Sequence, residues 1–541
     1  MRARFSLLLL AIAFAGQAAG FVPVQDHSSR EILGSVNFST SCNAAAQPQF
    51  DRAVALMHSF QFANAIEAFH AILSGDPSCA MAYWGIALSD WSNPFDAGLK
   101  PQAQLDAGLK AVQLARAAHP KTEREHDYIE AVAQLYTDAA HVDQHSRQAA
   151  YANAMATLNA KYPDDVEAAV FYALALASAA DPADKTYADQ RKAGAILEKL
   201  FARYPDHPGI AHYIIHAYDV PALAPRALET ARRYGEIAPS TPHALHMPSH
   251  IYTRVGDWQA SIDANIASAA SARDAGQPAD ELHATDYMVY AYLQTAQDAA
   301  AARQVAIAAQ IFAHYDPTAA IGGAAGPAAA YFARAAIPAR YCLERRAWAE
   351  AAALEPHPSP HLYADAITYF ARGLGAVHLK DDAAARSAIG SLAQLRDRLA
   401  AAKEDYWANQ VEIQRQEVAA WLAFAEGSDQ KALAGMRVAA AMEDKTEKNA
   451  ITPGPLAPAH ELLGDLLLEL KRPAEALEEF EATLTREPNR FRSLYGAAEA
   501  AKLAGDRQTA QTHFKKLLTV AERADHPGRR ELDEARNETR P

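Results

Sequence analysis

Two His-x-x-x-His pairs, His212/His216 and His246/His250, stand 34 residues apart in a chain of 541. On a helix, an i,i+4 pair puts both imidazoles on one face and offers two nitrogen ligands to one ion. The constant offset sets the same pair at the same point of two successive units, and helices about 8–10 Å apart would let facing rings share a metal. His243, His283 and Asp286 fall close by in the pattern and complete a donor set suited to Zn, Cu or Fe. Tyr213 and Met247 stand where a zinc-peptidase helix carries Glu, which excludes that motif. No Gly-x-Ser-x-Gly elbow, CxxC pair or phosphate loop occurs either. The same histidines also read as a polar contact surface for a bound peptide or ligand, or as a hydrogen-bonded network. All three readings stay open at this point.

The period that would hold these pairs in register is clearest near the C-terminus. There Ala476, Phe480 and Pro488 are followed 34 residues later by Ala510 and Phe514, with Leu463-Gly464 ahead of them and Gly505 at the next turn. The signature returns at Ala65-Phe69-Pro77, Ala193-Leu197-Pro205 and Ala227-Ala231-Pro239. Small residues let two antiparallel helices approach, the aromatic fills their groove, and Pro closes the second helix. This pattern resembles the tetratricopeptide repeat and implies an all-α solenoid of helical hairpins, coiled as a right-handed superhelix.

With Ala227 at repeat position 20, His212 and His216 take positions 5 and 9, and so do His246 and His250. His243 and His283 take position 2 of their units, Asp286 position 5 and Tyr290 position 9. Positions 5 and 9 lie about 200° around the helix from Ile214, Tyr218 and Tyr252, the core-facing choices. The repeat resemblance implies that positions 2, 5 and 9 line a concave groove. His212, His216, His246 and His250 are then the expected metal ligands, and His243, His283, Asp286 and Tyr290 the expected ligand-binding residues. Pro248, inside the second pair, predicts a kink or a helix start.

Residues 1–20 combine two Arg, an apolar run from Phe5 to Ala15 and a small-x-small site at Ala18-Ala19-Gly20. That is the layout of a cleaved signal peptide, so the mature chain is expected to be periplasmic or secreted, with no membrane span. An N-terminal segment, 21–45, precedes a repeat block with the histidine groove over 46–320. Irregular helical repeats over 328–450, a C-terminal repeat pair over 457–520 and a fraying charged tail over 521–541 are expected beyond it. Gly322 to Pro327 and Ile451 to Pro458 mark the breaks, the former read as a hinge. Of three cysteines, Cys42 and Cys79 can pair in an oxidising compartment and leave Cys342 as a buried thiol. Closing that loop would stabilise the fold by about 4 kcal/mol in the chain-entropy model. A net charge of −14 excludes a nucleic-acid partner, which needs a basic surface.

Longer strings go beyond the generic repeat. SCNAAAQPQFDRAVALMHSFQFANAIEAF, DHPGIAHYIIHAYD, HALHMPSHIYTRVGDW and HATDYMVYAYLQ resemble a family of exported bacterial tetratricopeptide proteins of unassigned activity. The resemblance implies fold and export but no catalytic residues. The function expected is binding of a peptide, partner protein or small ligand in the histidine groove, through a bound transition metal or without one. The alternative is a metal-dependent hydrolase or oxidoreductase, with Asp286 or Asp219 as acid/base.

Overall fold

A computed structural model describes residues 31–96, 98–319 and 323–540, so the signal-peptide reading of 1–20 and Gly322 lie outside the described residues. Among the described residues there are 26 α-helices and no strand, arranged as successive antiparallel hairpins of tetratricopeptide type. None of these helices is long and apolar enough to cross a membrane.

The repeat signature works as its residue types require. Phe480 is fully buried, and a Cβ on Gly464 or Gly496 would come within 2.8 Å or 2.4 Å of its ring. The aromatic of one second helix thus fills notches left by glycines on the first helices before and after it. Phe69 does the same against Gly85, and Phe514 closes the last hairpin at 0% exposure. Cys42 and Cys79 are bonded across 37 residues, and Cys342 is free and buried, as the spacing suggested. Replacing both bonded cysteines by serine should lower unfolding stability by roughly 4 kcal/mol, read as a shifted urea midpoint.

Two features depart from a plain solenoid. The charged tail does not fray. Arg530–Glu538 is a helix whose Leu532 and Ala535 are buried, and Arg529 pairs with Asp298 at 2.6 Å. Three residues apart, Leu532 and Ala535 share a face, enough to dock a single short helix. The second departure is that the chain folds back on itself. Trp258 Nε1 donates to the Asn489 carbonyl at 2.9 Å, and Tyr290 Oη donates to Glu487 Oε2 at 3.0 Å. Between the helices Asp429–Glu443 and Ala459–Glu469, residues 444–458 run as a strap across the concave face. Tyr406 Oη and Lys185 Nζ hold its Glu447 and Thr446 carbonyls, Tyr287 Oη its Ala450 carbonyl, and Arg340 its Thr452 hydroxyl.

The glycine-rich break is tied to the array by a buried acid. Asp280 Oδ1 accepts from the Ala325 amide at 3.3 Å, and burial raises its pKa from 3.8 to about 7. The folded state therefore keeps a proton that the unfolded state releases, so stability from this group is full below its unfolded pKa of 3.8 and is lost as pH rises through about 7. Asp280→Asn should gain on the wild-type chain, in urea midpoint, between about pH 4 and about pH 7. A difference that does not move with pH would overturn this.

Candidate metal centre

The helix Pro208–Tyr218 starts at a proline, with His207 as its N-cap: His207 Nδ1 accepts from the Ile210 amide at 3.2 Å. All eleven residues of this helix are buried, because it packs between neighbouring hairpins and under the strap. The second pair sits on a broken element. Pro242–His246 and Pro248–Val255 are separate helices meeting at Met247, so the break predicted at Pro248 falls between His246 and His250. The third element, Pro278–Gln294, carries His283.

These elements bring six histidines together as two triads. Ligand nitrogens of His212, His216 and His243 lie within 4.8 Å of one another, and those of His246, His250 and His283 do likewise. The triads adjoin: ring centroids are 6.3 Å apart for His216 and His250, and 6.1 Å for His243 and His246.

Hydrogen bonds fix which nitrogen faces inward. His212 Nδ1 donates to the His58 carbonyl at 2.6 Å, so its Nε2 presents a lone pair 3.1 Å from His243 Nε2. His250 Nδ1 donates to Asp219 Oδ2 at 2.9 Å. His246 Nδ1 donates to Asn265 Oδ1 at 2.6 Å, and the Asn265 amide is oriented by its own 2.8 Å donation to the Ser261 carbonyl. Nε2 of His246 and Nε2 of His250, both left as acceptors, face each other at 3.0 Å. His216 Nε2 is buried with no partner among the described residues, its ring stacked on Phe95 at 4.0 Å.

Burial keeps these rings neutral. It is the largest cause lowering the pKa of every one of the six, to about 3 for His212 and His283; neighbouring histidines add to it at all but His250, where Lys448 and Arg254 do so. Burial alone would raise Asp219, yet Lys448 and Arg254 beside it hold the carboxyl well below its usual range. Lys448 Nζ reaches Asp219 Oδ2 at 3.1 Å, and burial lowers that amine to about 8. Arg254 Nε takes the other oxygen at 2.8 Å. A cavity of about 50 Å³ opens over His216, His243, His250 and His283, and Phe95 and Asn449 also line it. It has room for a few waters or a small ligand.

Asp286 and Tyr290, expected to bind a ligand in the groove, are instead covered there by the chain's own residues. Asp286 is 1% exposed and bound to Arg340 Nε at 2.8 Å, and Tyr290 is engaged by Glu487. The reason is that the strap and Arg340 occupy the part of the concave face these residues would have presented. His141 remains exposed and pairs only with Asp138, as a solvated loop residue would.

A second buried group backs the first triad. Glu167 accepts from His58 Nε2 at 2.9 Å and from His207 Nε2 at 2.8 Å, while Tyr213 Oη donates to His58 Nδ1 at 2.9 Å. Each nitrogen there has a hydrogen-bond partner, so this cluster orients the His58 carbonyl that holds His212. No periodic signal singled out His58 or Glu167, which lie in different units, and Lys448 comes from a strap more than 200 residues downstream of Asp219.

No family model matches the chain, and no curated protein does. Among solved structures, the APC/C hetero-tetramer Cut9–Hcn1 is similar at 12% identity, covering 92% of this chain and 90% of that one, with a TM-score of 0.33. The human IFIT1 dimer with m7Gppp-AAAA shows 11% identity over 82% of this chain and 90% of that one, with a TM-score of 0.36.

Proposed function

We propose that the protein is an exported helical-repeat scaffold that binds a transition metal on its concave histidine face. The observation that carries this reading is the 3.0 Å approach of His246 Nε2 to His250 Nε2, with both Nδ1 atoms already committed as donors. Two neutral imidazoles cannot hydrogen-bond through two lone pairs, and a cation relieves the conflict. Nδ1 donation to a carboxylate, an amide oxygen and a backbone carbonyl is also the support that metal-bound histidines receive. Export is supported by the 1–20 pattern and by the Cys42–Cys79 bond, which suits an oxidising compartment.

The partner that fits is a small ligand reaching the ion through the cavity over His216 and His283. An extended peptide is the weaker fit, because the chain's own strap fills the concave face. The same cavity favours a second reading, a metal-dependent hydrolase or oxidoreductase in which the ion keeps an open position. Elemental analysis of mature protein purified without a His tag tests the binding reading. Near-stoichiometric Zn, Cu or Fe is expected, and none in a folded chain combining His212→Ala, His216→Ala, His246→Ala and His250→Ala. Absence of metal from the unsubstituted chain, even after loading, would overturn the proposal.

A further inference from the structure

We infer that the six histidines form two metal sites rather than one, each holding a single copper ion. This rests on the metal-binding reading and deepens it.

The repeat itself builds the pair of sites. The first triad takes the i,i+4 pair His212/His216 from one unit and His243 from the start of the next. The second takes the i,i+4 pair His246/His250 and then His283 from the start of the following unit. Positions 5 and 9 of one unit plus position 2 of its successor are therefore used twice, and stepping along the solenoid by one repeat carries one triad onto the other. The repeat duplicates the ligand positions but not their supports: His212 leans on a backbone carbonyl, and His246 and His250 on Asn265 and Asp219.

Distances separate the triads. An imidazole nitrogen binds Zn or Cu at about 2.0–2.1 Å, so nitrogens sharing one ion lie within about 4 Å of each other. Within each triad the nitrogens are at most 4.8 Å apart, and the closest pairs are 3.1 Å and 3.0 Å, so small ring rotations close either triad on an ion. Among the described residues, the ligand nitrogens that come within 4.8 Å of one another fall into these two groups of three, and one ion with its usual four ligands cannot gather all six.

Charge and donor type select the metal. Both triads are all-nitrogen, and no carboxylate oxygen belongs to either group, which disfavours hard oxygen-seeking ions and the two-His-one-carboxylate iron site. Imidazole suits both Zn and Cu, and of the two only copper has a stable singly charged state. Two adjoining divalent ions without a bridging carboxylate repel strongly, and the nearby Asp219 is already engaged by Lys448 and Arg254, so it is not free to offset that repulsion. Cuprous ions carry half the charge of divalent ones and cut that repulsion about fourfold. Copper in its reduced state can therefore fill both triads where zinc would be opposed.

The experiment is anaerobic loading of the untagged mature chain with excess Cu(I), removal of unbound metal, and counting of copper per chain. Two per chain are expected. His243→Gln and His283→Gln, one substitution in each triad, should each leave one. Loading with equimolar Zn(II) and Cu(I) should return copper in both sites. One copper per chain in the unsubstituted protein would overturn the two-site inference and leave metal binding intact, whereas none would overturn both. Loss of both ions from either single variant, with the helical circular dichroism unchanged, would overturn the one-ion-per-triad assignment. Two zinc ions in the competition would overturn the choice of copper. Should His243→Gln fail to fold, the more exposed His283 gives the same arithmetic through His283→Gln alone.

Discussion

Asp219→Ala is expected to weaken metal binding at the His246/His250/His283 triad by roughly 10- to 100-fold, the usual cost of removing a group that orients a ligand. Asp219 Oδ2 accepts from His250 Nδ1 at 2.9 Å and from Lys448 Nζ at 3.1 Å, while Oδ1 accepts from Arg254 Nε at 2.8 Å. Its loss frees the His250 ring to change tautomer and leaves two buried cations beside the triad without their counter-charge. Both effects oppose a cation at Nε2. Competition against a chromophoric chelator reads the affinity of each site. Asp219→Asn separates the causes, because its amide oxygen can still accept from His250 but its charge is gone. Recovery of most of the affinity in the Asn variant would assign the effect to ring orientation, and no recovery would assign it to charge. Affinity equal to that of the unsubstituted chain in Asp219→Ala would remove Asp219 from the site. Because Lys448 sits on the strap, faster hydrogen exchange of residues 444–458 should accompany the loss.

How far the sequence reaches can be seen at particular residues. Ala65, Phe69, Ala476, Phe480 and Phe514 were legible as core because helix pairing depends on local period and side-chain size, which neighbouring positions carry. The His pairs were legible for the same reason: i,i+4 spacing and the 34-residue offset are both local to the repeat. Grouping into triads needed His243 and His283 to be assigned to the preceding units, and repeat position 2 held that information. Asp286 and Tyr290 show where periodicity stops. Their positions belong to the groove, but Arg340 and the strap, from residues further along the chain, fill that place. Contacts of this range depend on how the array bends back, which no short window records. The tail failed for a smaller reason: its charge outweighed the two apolar residues, Leu532 and Ala535, that dock it.

Arg490→Met is expected to destabilise the fold by about 3–5 kcal/mol, a large part of the roughly 5–15 kcal/mol that holds a typical domain together. Arg490 is a single buried cation between two buried carboxylates. Nε reaches Glu461 Oε2 at 2.8 Å, Nη2 contacts Glu344 Oε1, and Nη1 donates to Tyr290 Oη at 3.2 Å. Arg490 and Glu344 are each 1% exposed in their side chains, and Glu461 is 5% exposed. Desolvating three charges offsets most of their attraction, so the cluster adds little net stability while intact. Removing the cation alone leaves two carboxylates facing each other away from water, and that asymmetry sets the size of the effect. The three residues lie on or beside the helices Pro327–Glu344, Ala459–Glu469 and Phe491–Leu503, and Tyr290 adds Pro278–Gln294. The cluster therefore joins the C-terminal hairpins to the element carrying His283, and its failure would loosen the second triad from behind. Urea unfolding of Arg490→Met checks the magnitude. Adding Glu344→Gln and Glu461→Gln removes the stranded charges and should recover most of the loss. If the triple variant is no more stable than Arg490→Met, then lost packing around the guanidinium, and not uncompensated charge, is the cause.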